Sequence, residues 1–246
     1  MNYLNPNDQR GQYARIAILI VLLIILGSLV SDYMQFQLIR AFENGAHFEQ
    51  EALNSNDNRQ LFFVIVQFVS WVIAGIFFLQ WFRRAYYNLI MQVTYTDETD
   101  SWAIWSWFVP ILSLYKPYVI FKELFDKTTE YLRAQGEKVP NAPHLALGLW
   151  WFTLTIGRII ENIARVVYKG DTIDSLKMQT ILSLVDNMLL IGNGLLLLFV
   201  IERYQALEKI FILYPKENNE TSNPTSEFET DSNIINPSID SNSDSE

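Results

Sequence analysis

Apolar residues occur in four long runs separated by polar connections, and this pattern predicts a helical membrane protein. Residues 16–30 contain only two positions that are less than fully apolar, and residues 61–82 carry no charge. Residues 145–157 and 180–201 are of similar character. Each run approaches the roughly 20 residues that cross a hydrocarbon core about 30 Å thick. A soluble helix of such length would alternate apolar and polar faces, and these runs do not.

We therefore expect an all-α, polytopic membrane protein with four transmembrane helices. The predicted spans are approximately residues 14–34, 61–82, 145–163 and 180–201, within a helical bundle covering residues 1–214. The first two spans would be joined by a long polar connection, residues 32–60. The third and fourth would be joined by a shorter one.

A fifth apolar segment, residues 102–118, is built differently from the four runs. Three tryptophans crowd its start, and Lys116 lies where a straight crossing would have to bury it. Pro110 and Pro117 each remove a backbone donor and disturb the preceding turn. This segment is predicted to enter the membrane interface, or to dip in and return, without crossing.

The second half of this region, as far as residue 132, has the spacing of an amphipathic helix. Its apolar positions fall three or four residues apart, with charged residues between them. We expect this helix to lie along the inner leaflet. The positions on its apolar side are Tyr118, Phe121, Leu124, Phe125, Thr128 and Leu132.

The distribution of Lys and Arg chooses between two topologies. With four spans, twelve Lys and Arg lie on one face and five on the other, and Arg158 lies in a span. With five spans the division is seven against nine, and both Lys116 and Arg158 lie in spans. Cytoplasmic loops carry the Lys and Arg excess, so four spans are favoured. This arrangement places the protein in the cell (inner) membrane with both termini in the cytoplasm.

The net charge of −9 belongs mainly to the end of the chain. Residues 217–246 hold eight acidic residues and no Lys or Arg. A segment so rich in Ser, Asn, Asp and Glu has too little apolar area to fold. Residues 215–246 are therefore predicted to form a disordered acidic tail.

A distinctive set of residues surrounds the proline-interrupted segment: Trp81, Arg84-Ala-Tyr86, Asn88, Trp102, Trp107-Phe-Val-Pro110, Leu114, Lys116-Pro-Tyr118 and Glu123-Leu124. In these residues the chain resembles the domain-of-unknown-function family 4328, a group of bacterial multi-pass membrane proteins. The resemblance is firm over about residues 79–126, and it implies a bacterial integral membrane protein without implying an activity.

The first candidate site is a lipid head-group site at the inner face. Basic residues at the end of a span anchor to anionic head groups, so anchoring alone accounts for Arg84. The sharper hypothesis is that Arg84, Asn88 and Lys116 hold one head group beside the tryptophans. The other family-motif candidates are Trp102, Trp107, Pro110, Pro117 and Tyr118.

The second candidate site is a cluster of polar residues in the last two spans. At 1.5 Å per residue, Arg158 and Asp186 would lie at similar depth on antiparallel helices, so we expect an ion pair between them. Glu161 lies one helical turn from Arg158 and offers it a local alternative. Asn187 and Asn193 complete the cluster, and a packing role is favoured over a ligand site for Asn193.

No catalytic motif accompanies these sites. The chain has no cysteine, and its two histidines lie on opposite faces of the predicted membrane protein. We therefore expect no cofactor, no metal, no nucleic acid partner and no enzymatic activity. The favoured function is an accessory, scaffold or lipid-interacting membrane subunit, with membrane lipids as partners.

The alternative is a small channel or transporter that uses the polar residues of the last two spans, as a homo-oligomer or with a membrane-protein partner. A water-filled cavity that reaches Arg158 and Asp186 would favour transport. A dry bundle with a groove at Arg84 and Lys116 would favour the lipid or scaffold function.

Overall fold

The computed structural model describes residues 4, 6–167 and 172–215, with side-chain detail in the fifth helix ending at residue 159. In this part of the chain every regular element is a helix. The predicted acidic tail lies outside the described residues, apart from its first position. The elements are α1 Asp8–Glu43, α2 Gln50–Gln92, α3 Trp102–Trp105, a 3₁₀ turn Leu112–Leu114, α4 Lys116–Ala134, α5 His144–Val167 and α6 Ile173–Phe211.

Three of these helices, α1, α2 and α6, are long and apolar enough to cross a membrane. They contain the predicted spans 14–34, 61–82 and 180–201. The fold is therefore that of an all-helical protein with three candidate membrane-spanning helices. The predicted span 145–163 lies within α5, which is not among the three.

The predicted connection 32–60 is mostly helical. α1 continues to Glu43 and α2 begins at Gln50, with a short turn at Gly45, whose φ of 88° suits glycine. The two helices have 36 and 43 residues, or about 54 and 65 Å, which exceeds the thickness of a bilayer with its head groups. The sequence interpretation was wrong here because it treated polar residues as a loop, although Glu, Gln, Ala and Arg are good helix formers.

α1 and α6 are the inner pair of the four long helices. α1 packs closely against α2 and α6, and α5 packs against α6. Among the described residues, α2 and α5 are not a closely packed pair. The four long helices therefore leave a gap between α2 and α5.

One end of the bundle is densely packed; we call it the packed end. It consists of residues 78–92 of α2, α4, and residues 200–211 of α6. Its aromatic rings lie against one another, with centroid distances of 4.8 Å for Phe82 and Phe121 and 5.9 Å for Trp81 and Tyr204. Trp81, Phe82, Phe121 and Tyr204 have no exposed surface. Such ring pairs contribute about 0.5–1.5 kcal/mol each beyond the area they bury.

The apolar side of α4 is covered by protein. Ile120, Phe121, Leu124 and Phe125 have no exposed surface, because α4 packs against α2, α5 and α6. The helix has the extent that the spacing predicts, but its apolar side does not face the inner leaflet. An amphipathic pattern records only that one side is buried, and a protein core satisfies it as well as a lipid surface does.

The stretch between α3 and α4, residues 106–115, contains a sharp break after Pro110. The amide of Leu112 donates to the carbonyl of Pro110 at 2.7 Å, which closes a γ-turn around Ile111 with φ 66° and ψ −52°. A β-branched residue in this conformation is strained by about 1–3 kcal/mol. The side chain of Ile111 is 76% exposed, so the break presents an apolar tip at the surface.

Candidate ligand cavity between the helices

A compartment of about 610 Å³ lies between α1, α2, α5 and α6. A second compartment, described below, lies next to it, and we call the first the polar end of the cavity. Its wall is unusually rich in polar groups for the interior of an apolar bundle. Polar residues inside membrane helices are costly and mark functional sites by default. Those that matter most here are Asp32, Gln67, Arg158, Asp186, Asn187 and Asn193.

Asp32 joins α1 to α6 at this wall. Its Oδ2 accepts from the hydroxyl of Ser183 at 2.6 Å and from Nδ2 of Asn187 at 2.8 Å. Asn187 also donates to Oγ of Ser28 at 3.4 Å. Because Ser28 and Asp32 are one turn apart, as are Ser183 and Asn187, two polar pairs meet across the helix interface.

The sequence analysis did not select Asp32 or Ser183. Asp32 follows the first apolar run directly, where a polar residue looks like the ordinary end of a span. The signal that identifies them is a matching i, i+4 spacing of polar residues, near the end of the first span and near the start of the last. Because the two spans are antiparallel, these positions lie at the same depth.

The structure brings Arg158 and Asp186 to the same cavity. Both line its polar end, Arg158 from α5 and Asp186 from α6. The ion pair between them remains a prediction. The side chain of Glu161, their predicted neighbour, lies outside the described residues.

Asn193 connects α6 to α5. Its Nδ2 donates to the carbonyl of Trp150 and to Oγ1 of Thr153, both at 2.8 Å. The side chain is 7% exposed, and both partners lie on α5. Asn193 therefore holds the two helices together at the cavity wall, which is the packing role that the sequence favoured.

A second compartment of about 260 Å³, the apolar end of the cavity, continues from the polar end. The lining of the two ends shares residues from α2, α5 and α6, among them Trp71, Arg158 and Asn193. On α6 the combined lining runs from Ser183 to Leu197, which is about 20 Å along the axis. The two compartments are therefore adjacent, and together they make up an elongated space that is polar at one end and apolar at the other.

Aromatic residues close the apolar end. The ring of Trp107 lies 5.5 Å from that of Phe78 on α2 and 6.3 Å from that of Trp150 on α5. Phe108 lines the same compartment. The proline-interrupted segment thus fills the space between α2 and α5 at one end of their gap.

Lys116 and Arg84 have partners within the chain. Lys116 forms an ion pair with Glu98, and its Nζ lies 6.0 Å from the ring centroid of Trp102. The hydrogen bond to Glu98 raises the pKa of Lys116 above its ordinary value. The guanidinium of Arg84 lies 5.6 Å from the ring centroid of Tyr87.

Asn88 does not lie with Arg84 and Lys116 at an accessible surface. It has no exposed surface, and its Nδ2 donates to Oε1 of Glu208 at 3.1 Å. Glu208 is itself 3% exposed and also accepts from Nδ2 of Asn7 at 3.1 Å. The structure therefore places Asn88 in an internal network at the packed end. Nothing local in the sequence links Asn88 to a carboxylate 120 residues away.

The remaining motif residues shape the start of α4. Pro117 stands in its first turn, where a missing N–H costs no helical hydrogen bond. The ring of Tyr118 stacks on that of Trp151 at 6.5 Å. Glu123 accepts from the hydroxyl of Tyr86 at 2.7 Å and pairs with Lys127. These contacts fix α4 against its neighbours.

The fold and the cavity define a class: an all-helical protein with helices able to span a membrane and an elongated cavity among them. The chain belongs to the family described as domain of unknown function (DUF4328), whose match covers residues 44–206. The family resemblance seen in the sequence is thereby confirmed. No curated protein and no solved structure matches the chain.

Proposed function

We propose that this protein is a non-enzymatic, lipid-interacting membrane protein that binds a membrane-soluble ligand between its helices. The observation that carries the proposal is the elongated cavity with one polar and one apolar end. Such a cavity suits a molecule that itself has a polar and an apolar part. Binding sites in helical bundles are commonly built from side chains on facing helices.

The proposal includes four spans, with α5 as the third span along the chain. α5 has 24 residues, or about 36 Å, which is enough to cross a hydrocarbon core. Residues 105–115 would lie in the inner interface, and the exposed side chains of Trp105, Phe108 and Ile111 support this. The excess of Lys and Arg on that side supports cytoplasmic termini in a bacterial inner membrane.

Three helical glycines offer a direct test of the cavity. A Cβ added at Gly75, Gly157 or Gly192 meets no heavy atom within 4 Å. Gly75 lines the apolar end and Gly157 lines the polar end, whereas Gly192 lines neither. Gly75→Leu and Gly157→Leu should therefore fill the cavity, and Gly192→Leu is the matched control.

The measurement is native mass spectrometry of protein extracted in mild detergent, followed by identification of the released small molecules. We expect one bound molecule in the wild type and in Gly192→Leu, and at least a tenfold lower occupancy in the two cavity-filling variants. Equal occupancy in all four proteins would show that bound lipid lies elsewhere, and the proposal would fail.

Passage of a small polar solute is a second candidate, because a cavity that reaches Arg158 and Asp186 is part of what the sequence expects of a transport protein. We rank it second because a polar solute would make no use of the apolar end. In that case the solute needs only the polar end. Uptake of small zwitterions and cations into proteoliposomes should be lost in Gly157→Leu and retained in Gly75→Leu. Absence of any uptake by the wild type would remove this candidate.

A further inference from the structure

We infer that the ligand of the cavity is an amphiphilic cation, with a single alkyl chain and an ammonium head group. The inference rests on the proposed function, since it names the chemical class that the same cavity would accept. Four features carry it: the charges of the polar end, the position of Trp71, the size of the apolar end, and the gap between α2 and α5.

The polar end favours a positive head group. Among the described lining residues, Asp32 and Asp186 are acidic and Arg158 is basic, so carboxylates outnumber the cation. The partners of Asp32 given above, Ser183 and Asn187, are neutral donors, so neither carries a charge opposite to that of an ionised Asp32. A charge in the interior of a bundle is stabilised by an opposite charge, and an ammonium head group supplies one.

Trp71 lies where the two ends meet and lines both of them. Its indole is therefore placed beside the junction of head and tail. Aromatic faces attract quaternary ammonium groups through their quadrupole, and Trp does so best. Trp71 thus adds a second feature that favours a cation over an anion at this position.

The apolar end limits the tail to one chain. Its volume is about 260 Å³, and an apolar cavity of about 150 Å³ is large enough for benzene, so it accommodates about ten carbon atoms. Phe78, Trp107 and Trp150 form much of its wall. A charged head group would lose its hydration there without compensation, so the ligand has one favourable orientation.

The gap between α2 and α5 supplies the route of entry. The sides of these helices carry exposed apolar residues, with Phe68 on α2 and Phe152 on α5 exposed by 68% and 61%. Phe68 also lines the polar end. An amphiphile can therefore pass sideways from the bilayer into the cavity without crossing an aqueous phase.

The test compares three probes that share a twelve-carbon chain: dodecyltrimethylammonium, dodecanoate and dodecyl glucoside. Each is titrated by calorimetry into full-length protein in phosphatidylcholine nanodiscs, with empty nanodiscs to subtract partitioning. We expect the ammonium probe to bind at least tenfold more tightly than either of the others. Asp32→Asn keeps an acceptor for Ser183 and should lower the affinity for the ammonium probe at least fivefold. Trp71→Leu should lower that affinity about threefold to tenfold.

Gly75→Leu and Gly192→Leu separate the inference from the proposed function. Equal affinities for the three probes, all lost in Gly75→Leu and retained in Gly192→Leu, would overturn the cationic head group and leave the cavity as a binding site. Tighter binding of dodecanoate would do the same. Binding that no cavity-filling variant reduces would overturn both proposals.

Discussion

The packed end and the cavity both use α2 and α6, but they are built in opposite ways. At the packed end, Trp81, Tyr86, Phe121 and Tyr204 have no exposed surface, and ring packs against ring. Between residues 28–32 of α1 and 183–193 of α6, by contrast, polar side chains line open space. The packed end is therefore a close-packed core, which we call the frame, and the remaining part of the bundle holds the cavity.

Much of the family motif lies at the packed end. Trp81, Asn88 and Glu123 are buried there and bind other parts of the chain. Trp107 and Phe108, which also belong to the motif, line the apolar end of the cavity. The motif therefore contributes both to the packed end and to the wall of the cavity.

The largest effect should come from removing a ring from the packed end. Trp81→Ala leaves a cavity among Phe78, Phe121 and Tyr204 and should cost about 3–5 kcal/mol of unfolding free energy. Trp105→Ala is the control, because Trp105 is 62% exposed and should change it by about 0.5 kcal/mol or less. Unfolding in mixed detergent micelles measures the loss of unfolding free energy in each variant. Equal losses would contradict the statement that the buried rings of the packed end stabilise the fold.

Breaking the internal carboxylate network should have the next largest effect. Glu208→Ala leaves the amides of Asn7 and Asn88 without this acceptor and should cost about 2–4 kcal/mol in the same unfolding assay. Glu208→Gln keeps one acceptor oxygen and should cost about half as much. If the two variants were equally stable, the hydrogen bonds to Glu208 would not be contributing.

Loosening the cavity wall should have a smaller effect. Asn193→Ala removes two hydrogen bonds between α6 and α5, and such bonds within membrane bundles average about 0.6 kcal/mol with a maximum near 1.7. We therefore expect a loss of about 1 kcal/mol in the unfolding assay. A loss as large as that of Trp81→Ala would place Asn193 in the frame instead.

Relieving the strained turn should have the smallest effect, with the opposite sign. Glycine adopts the positive φ of Ile111 without strain, so Ile111→Gly should stabilise the fold by about 1 kcal/mol. Leu114→Gly, at an exposed site with ordinary backbone, should not stabilise. Stabilisation by both variants in a thermal unfolding scan would show that loss of the exposed side chain, and not the turn, is responsible.

Local pattern predicted the helices well and their partners poorly. The apolar runs located all four long helices, and Pro110 located the break, because each depends on neighbouring residues. The helical turns after residue 34 in α1 and before residue 61 in α2 were missed, because polar residues with good helix propensity also occur in loops. The link between Asn88 and Glu208 depends on tertiary packing, which no local spacing records.

The cavity was predicted in part. The matching depths of Arg158 and Asp186 follow from helix geometry, and both residues line the cavity. The apolar end was missed because the sequence placed Trp107 at the membrane interface and Trp150 within a span, and neither placement shows that the two rings meet. Only the gap between α2 and α5 turns those residues into the wall of a compartment.

The central claim is that a single ligand occupies both ends of one cavity, and cysteine protection tests it most directly. The chain has no cysteine, so Gly75→Cys, Gly157→Cys and Gly192→Cys each carry one thiol. Their rates of alkylation by maleimide are measured in nanodiscs with and without dodecyltrimethylammonium. We predict at least tenfold slower alkylation at residues 75 and 157, and no change at residue 192. Failure to protect residue 75 or residue 157 would contradict the account.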